Sequence, residues 1–160
     1  MSVKAILSKS TFLKGLQCDK QLYLYKHHYN WQDKISEMQQ SVFDRGHKVG
    51  ALAQTLFPNG VDATPSSPRA YAKAIEHTKE LIDNGVKVIY EAALIYNEVL
   101  IYADILVRNV SKWKVYEVKS STSISETNIN DISVQYYVMN NAGLEIKDIS
   151  IISNPALFIT

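Results

Sequence analysis

Cysteine is nearly missing from this chain: Cys18 stands alone among 160 residues. A single thiol cannot close an internal disulfide, which fits a reducing compartment. Long hydrophobic runs are missing too. None approaches the roughly 20 residues of a membrane span, so no membrane partner is expected. The opening stretch, MSVKAILSKSTFLKG, has neither a continuous apolar run nor a small-residue cleavage site. It does not read as a secretory signal, and the expected location is the cytoplasm. Internal repeats and low-complexity tracts are absent. So is a strong net charge, at only +1.

What is present is globular chemistry. Hydrophobic residues make up 46% and charged ones 21%, the balance of a folded chain rather than a disordered one. The length suits one domain over residues 1–160 with a real core. Charge is unevenly spread. Lys4, Lys9, Lys14, Lys20 and Lys26 face a single nearby acid, Asp19, and His27 and His28 follow. Lys14 and Lys20, with Arg45 further on, are candidate phosphate contacts. Tyr23, Tyr25, Tyr29 and Trp31 interleave with these bases. That mixture suits single strands, whose bases stack on rings; it equally suits a solvated helix face and ordinary packing.

Periodicity predicts the elements. Residues 8–25 read as one or two helices capped at Ser8 or Ser10. A strong helix follows over 35–57, with Ile35, Met38, Val42, Val49, Leu52 and Leu56 in one stripe. His47 lies on roughly the opposite side, between Gly46 and Gly50. Glycine costs a helix about 1 kcal/mol each. Two of them predict close approach by another element, with the helix covered on two sides and His47 facing a second structure. Pro58-Asn59-Gly60 ends this helix, and Ser67 caps the next one with Pro68 at its first position.

Three apolar segments, 86–96, 99–108 and 113–120, read as an antiparallel meander, the middle one covered on both faces. A helix over 129–142 carries Ile129, Ile132, Tyr136 and Met139 on one face, bordered by Gln135. A last strand at 146–153 returns beside the third. The expected class is α/β: a helical part at 1–85, then a sheet core at 86–153 forming a small mixed sheet flanked by helices.

Within that core, Glu117 and Lys119 share a strand face with Trp113 and Val115, since side chains alternate with period two. A carboxylate and a lysine on a buried face need partners or a job. A two-residue turn at Val110-Ser111 sets Arg108 against Trp113 and Asp104 against Glu117. A second at Asn97-Glu98 sets Glu91 against Asp104. Three carboxylates side by side repel one another. A hard divalent cation relieves that repulsion; a purely structural cross-strand ion-pair cluster is the other reading.

Asp104, then Glu117-Val118-Lys119, then a glutamine on a downstream helix is an order that resembles the PD-(D/E)XK nuclease superfamily. Within it the chain most resembles the RecB-type branch, which includes CRISPR-associated exonucleases. Arg45-Gly46-His47 is similar to the upstream histidine motif of that branch, and Glu91 stands where an acid often precedes the aspartate. Gln135-Tyr136-Tyr137 is similar to its glutamine-tyrosine helix, and Leu16 to Tyr23 resembles its cysteine-containing N-terminal helix. The likeness runs over about residues 8–153.

The resemblance implies a restriction-endonuclease-like core, β-β-β-α-β, and a Mg²⁺- or Mn²⁺-dependent deoxyribonuclease. It implies exonuclease-like action on single-stranded DNA, in repair or defence. It casts Asp104, Glu117, Lys119 and Gln135 as catalytic. His47, Asp104, Glu117 and the Val118 carbonyl would hold the metal, with Glu91 and Tyr136 behind them. Two positions depart from the branch. Its iron–sulfur members use four cysteines, so no such cluster is expected with Cys18 alone. Met139 stands where the motif has a tyrosine four residues after the glutamine. The pattern also resembles an uncharacterised bacterial family in which such a domain precedes a second, exonuclease-like one, which implies a further domain or partner C-terminal to this chain. The alternative is a non-cleaving nucleic-acid-binding module, or an interaction subunit, with the same fold.

Overall fold

The structure is a computed structural model and describes residues 6–121 and 123–153. In chain order its elements are β1 (Leu7–Ser8), α1 (Lys9–Gln17), α2 (Asp19–His27), a 3-10 turn at Tyr29–Trp31, α3 (Glu37–Gln54), β2 (Val61–Asp62), a 3-10 turn at Pro68–Ala70, α4 (Tyr71–Asp83), β3 (Val88–Tyr96), β4 (Val99–Asn109), β5 (Lys112–Lys119), α5 (Glu126–Asn141) and β6 (Ile146–Ser153). Together they make an α/β fold around one mixed, open sheet in the order β2-β3-β4-β5-β6, with β1 joined to β4 off that row. β3, β4 and β5 form the antiparallel meander, and α5 returns the chain so that β6 runs parallel to β5.

Local chemistry accounts for the boundaries. Ser8 caps α1 by accepting from the Thr11 N–H, and Cys18 is the extended joint between α1 and α2. α3 and α5 each open on a reciprocal capping box, Ser36 with Gln39 and Ser125 with Asn128. At the β3–β4 turn both Asn97 (φ 46°) and Glu98 (φ 61°) are left-handed, which matches the twist of a two-residue hairpin. That turn pairs Tyr96 with Val99 and fixes the register of everything before it.

Helices cover both faces. On one, Val134, Val138 and Met139 of α5 pack with Phe12 and Leu13 of α1 and Leu81 and Ile82 of α4 over Ile101, Leu106, Trp113 and Val115. On the other, Ala53 near the end of α3 and Phe57 just beyond that helix pack on Tyr90, Ile105, Tyr116 and Val118. The far edge of β3 is stitched to α4 by the buried Thr78, whose hydroxyl accepts from the Ala93 N–H at 2.9 Å.

Several expectations are corrected. β1 and β2 are too short to show a pattern in the sequence. Pro68 opens a 3-10 turn ahead of α4, and Ser67 makes no side-chain cap there. α3 is covered on one side, not two. Ile35, Met38, Val42, Leu52 and Leu56 of the predicted stripe are exposed, Met38 by 80%, and only Val49 and Ala53 are buried. A Cβ added at Gly46 or Gly50 would meet nothing within 4 Å, so these glycines border open space rather than a packed neighbour. α5 is turned from the expected face. Its buried residues are Asp131, Val134, Gln135, Val138 and Met139, while Ile129 and Tyr136 are exposed. The inward face carries an acid and an amide because β5 offers them charged partners.

Candidate functional site

The β3–β4 ladder runs from Val88–Val107 to Tyr96–Val99 with one gap, at Glu91 and Asp104. Glu91 has φ 53°, a left-handed backbone that costs a residue with a side chain about 1–2 kcal/mol. The consequence is visible in the packing. Tyr90 and Ala92 should share a face, yet Tyr90 packs towards α3 and Ala92 towards α5. Ala103 and Ile105 of β4 divide in the same way. The alternation of both strands slips at one level, and the two carboxylates sit at the slip.

Beside it the sheet forks. The β4–β5 ladder stops at Ile105–Tyr116, while Glu117, Val118 and Lys119 go on to pair with Ile151, Ile152 and Ser153 of β6. Val118, drawn off β4, donates its N–H to Asp104 Oδ2 at 2.6 Å. The edge of β4 that β5 has left is taken by β1, where Leu7 and Ser8 pair with Val99 and Leu100. α1 therefore starts at the fork, and Lys9 is its first residue.

Two groups of side chains meet there. The first is a closed ring of alternating charge on the α5 side. Lys119 Nζ lies 2.6 Å from Glu117 Oε1 and also bonds Asp131 Oδ2. Lys9 Nζ lies 3.1 Å from the same Glu117 oxygen and 2.7 Å from Asp131 Oδ1. Gln135 Nε2 donates to Glu117 Oε2 at 2.5 Å, and Gln135 Oε1 is buried without a partner. Burial disfavours the Lys119 ammonium, but Glu117 and Asp131 outweigh it and raise the lysine above its ordinary range. Burial also works against the Asp131 carboxylate, and Lys9 and Lys119 outweigh that and lower it.

The second group lines a cleft of about 360 Å³ beneath α3: Glu91, Asp104 and Val118 from the sheet, His47 and the two glycines from the helix. Burial first, then the Glu117 charge with a smaller push from Glu91, raise the Asp104 carboxyl to about 7 against the Val118 N–H and Lys9. Glu91 is raised as well, by burial and then by Asp62 and Glu117, against Lys9 and His47. All three predicted carboxylates thus feel one another. Glu117, however, does not line the cleft; it stands behind it with 3% of its side chain exposed.

The donor set suits a hard divalent cation: the Glu91 and Asp104 carboxyls share a cleft with Val118, and burial and neighbouring acids disfavour both as anions, Asp62 and Glu117 acting on Glu91 and Glu117 and Glu91 on Asp104. Among the described residues no three His, Cys, Asp or Glu side chains form a ready cage. Mg²⁺ sites commonly have none, relying on one or two carboxylates, waters and substrate phosphates.

Other predicted residues lie elsewhere. Tyr136 lines a groove with Lys147, Asp148 and Ile149, on the outer side of α5. Arg45 belongs to an exposed hollow with Glu37, Asp44 and Lys48. Lys14 and Lys20 flank a groove of about 730 Å³ with Tyr25, His28 and Trp31. There the Lys14 Nζ sits 5.1 Å from the centre of the Tyr25 ring, and His28 stacks on Trp31. Two site residues escaped the sequence reading. Asp131 had a signal, since it lies one helical turn before Gln135 on the same face. Lys9 had none, being 108 residues from Glu117.

Among the described residues no helix is long and apolar enough to cross a membrane. No family model matches this chain, and no curated protein or solved structure shows significant similarity to it.

Proposed function

We propose that this chain is a metal-dependent deoxyribonuclease of the PD-(D/E)XK type, closest in character to the RecB branch, hydrolysing phosphodiester bonds of single-stranded DNA in repair or defence. The restriction-endonuclease-like core is part of the proposal. The meander β3-β4-β5, the crossover α5 and the parallel β6 are the β-β-β-α-β order it requires. One observation carries the reading. At a single fork, Asp104 faces a cleft while Glu117, Lys119 and Gln135 interlock immediately behind it.

Asp104, Glu91 and the Val118 carbonyl would hold the cation, with Glu117 behind and His47 across the cleft. An imidazole in that set favours Mn²⁺ somewhat over Mg²⁺. Bound there, the cation supplies a Lewis acid for the phosphate and a water of lowered pKa. Lys119, kept cationic by Glu117 and Asp131, stabilises charge that builds on the scissile phosphate. Gln135 holds Glu117 in place. In hydrolysis the water oxygen bonds phosphorus, the P–O ester bond breaks, and the released sugar oxygen takes up a proton. The groove of Lys14, Lys20, Tyr25, His28 and Trp31 offers cations and rings together, as single strands require.

The test is cleavage of end-labelled single- and double-stranded DNA with Mn²⁺, Mg²⁺ or EDTA, wild type beside Lys119→Ala. Metal-dependent cutting that the variant lacks is the expected result. Equal cutting by both, or none by a folded wild type, overturns the reading. Salt-dependent DNA binding without cutting would instead favour the non-cleaving module.

A further inference from the structure

The groove of cations and rings and the cleft of carboxylates are joined by one helix. Gln39, in the first turn of α3, lines the groove with Lys14, Lys20, Tyr25, His28 and Trp31. Gly46 and Gly50, further along α3, line the cleft. Gln39, Phe43, Gly46 and Gly50 are spaced i, i+4, i+7 and i+11, which sets them on one side of the helix. Phe43 stands between the two hollows, lining neither, and is 51% exposed. The glycines have no packing reason to be there. Apart from proline, glycine is the least favourable residue in a helix interior, yet a Cβ at either position would meet nothing within 4 Å. Glycine does suit a place where a ligand passes close over the backbone.

We propose that this side of α3 is a track on which a single DNA strand lies between groove and cleft, with a base stacked on Phe43 and the strand passing over Gly46 and Gly50. The inference rests on the nuclease reading for its substrate and deepens it, naming the surface that feeds the cleft. Charge favours a nucleic acid at the groove end. Lys14, Lys20 and His28 stand there against one acid among the lining residues, Asp33, and phosphates are drawn to such a surface. Trp31 is 68% exposed and stacked by His28 on one face, so its other face can take a base. At the cleft end Glu91 and Asp104 repel phosphates, so in EDTA the strand is held by the groove and Phe43. From Gln39 to Gly46 and Gly50 the helix rises about 10–17 Å. A stacked strand rises about 3.4 Å per nucleotide, so about three to five nucleotides span the track.

The experiment is fluorescence anisotropy of an end-labelled oligothymidylate of about twelve nucleotides in EDTA, where nothing is cut. It compares wild type, Phe43→Ala, Trp31→Ala, Gly46→Gln and Met38→Gln, with the Tm of each measured alongside. Phe43→Ala and Trp31→Ala should each bind about tenfold more weakly, the loss of one stacked base. Gly46→Gln should bind at least about fivefold more weakly while its Tm holds or rises, because glutamine is the better helix former. Met38→Gln, about 140° round the helix from Phe43, should bind like wild type. Wild-type affinity in Phe43→Ala, Trp31→Ala or Gly46→Gln overturns the track, and Mn²⁺-dependent cutting of the same strand by wild type then leaves the nuclease reading standing. Equal weakening by Met38→Gln overturns it too, since any loss of apolar surface would then do the same. The expected losses around a wild type that binds but does not cut with Mn²⁺ uphold the track and sink the nuclease reading. No binding by the folded wild type sinks both. Should Phe43→Ala lower Tm, Gly46→Gln decides: weaker binding at undiminished Tm upholds the track, and unchanged binding overturns it.

Discussion

Asp104→Asn should make this protein more stable at pH 8 and leave it unchanged at pH 4. Burial and the Glu117 charge raise the Asp104 carboxyl from 3.8 to about 7. An acid raised in the fold keeps its proton at a pH where the unfolded chain has lost it. Stability therefore falls as pH rises from about 4 through about 7, and the full penalty stands above that. At about 1.4 kcal/mol per pH unit the penalty is roughly 4 kcal/mol, and screening at the cleft mouth brings the expected gain to about 2–4 kcal/mol. The amide keeps the shape and an oxygen for the Val118 N–H but carries no charge. In a chain of this length about 1 kcal/mol moves Tm by about 2–4 °C, so the variant should melt about 5–15 °C higher at pH 8 in EDTA. Thermal unfolding of both proteins at pH 4 and pH 8 measures this. Added Mn²⁺ at pH 8 should close the gap by stabilising wild type alone. A variant no more stable than wild type at pH 8, or one equally stabilised at both pH values, would refute the claim that Asp104 is held as a disfavoured anion.

The Asp131 carboxyl is lowered by Lys9 and Lys119, so its contribution has the opposite sign. It is present above the ordinary carboxylate range and lost as pH falls through the folded pKa. Asp131→Asn should cost about 2–4 kcal/mol at pH 7, read by urea unfolding, and the loss should shrink in acid. Gln135→Leu leaves Glu117 Oε2 unpaired and should cost about 1–3 kcal/mol by the same assay. Glu91→Gly should exceed Glu91→Ala in stability by about 1 kcal/mol, since φ is 53° there; equal stabilities would mean the backbone is not left-handed. Met38→Gln, on the exposed side of α3, should shift stability by less than about 0.5 kcal/mol.

Much of the sheet is legible in the amino-acid sequence. Val88–Tyr96, Val99–Asn109 and Lys112–Lys119 are long apolar runs with few turn residues, and each expected hairpin turn is where it was read. The helices are a different matter. The α3 stripe of Ile35, Met38, Val42, Leu52 and Leu56 has core spacing, but hydrophobic period cannot say whether a partner surface exists, and here it is exposed. On α5 the same reasoning turned the helix outward by one step. Asp131 and Gln135 count as polar in any pattern, although both are buried against Lys9, Lys119 and Glu117. A buried polar residue is invisible to patterning until its partner is known.

What the amino-acid order decides alone is therefore local. Period-two alternation and two-residue turns set strand and register, and register brings Glu91, Asp104 and Glu117 to one level of three adjacent strands. Their division between two sides was left to the tertiary structure. The left-handed Glu91 slips the alternation, β5 parts from β4 beyond Ile105–Tyr116, and Asp104 is left facing a cleft that Glu117 stands behind. Lys9 arrives from 108 residues away to close the ring. No short-range rule encodes such a contact, because its energy exists only once the fork has formed and the charges around it have lost their water.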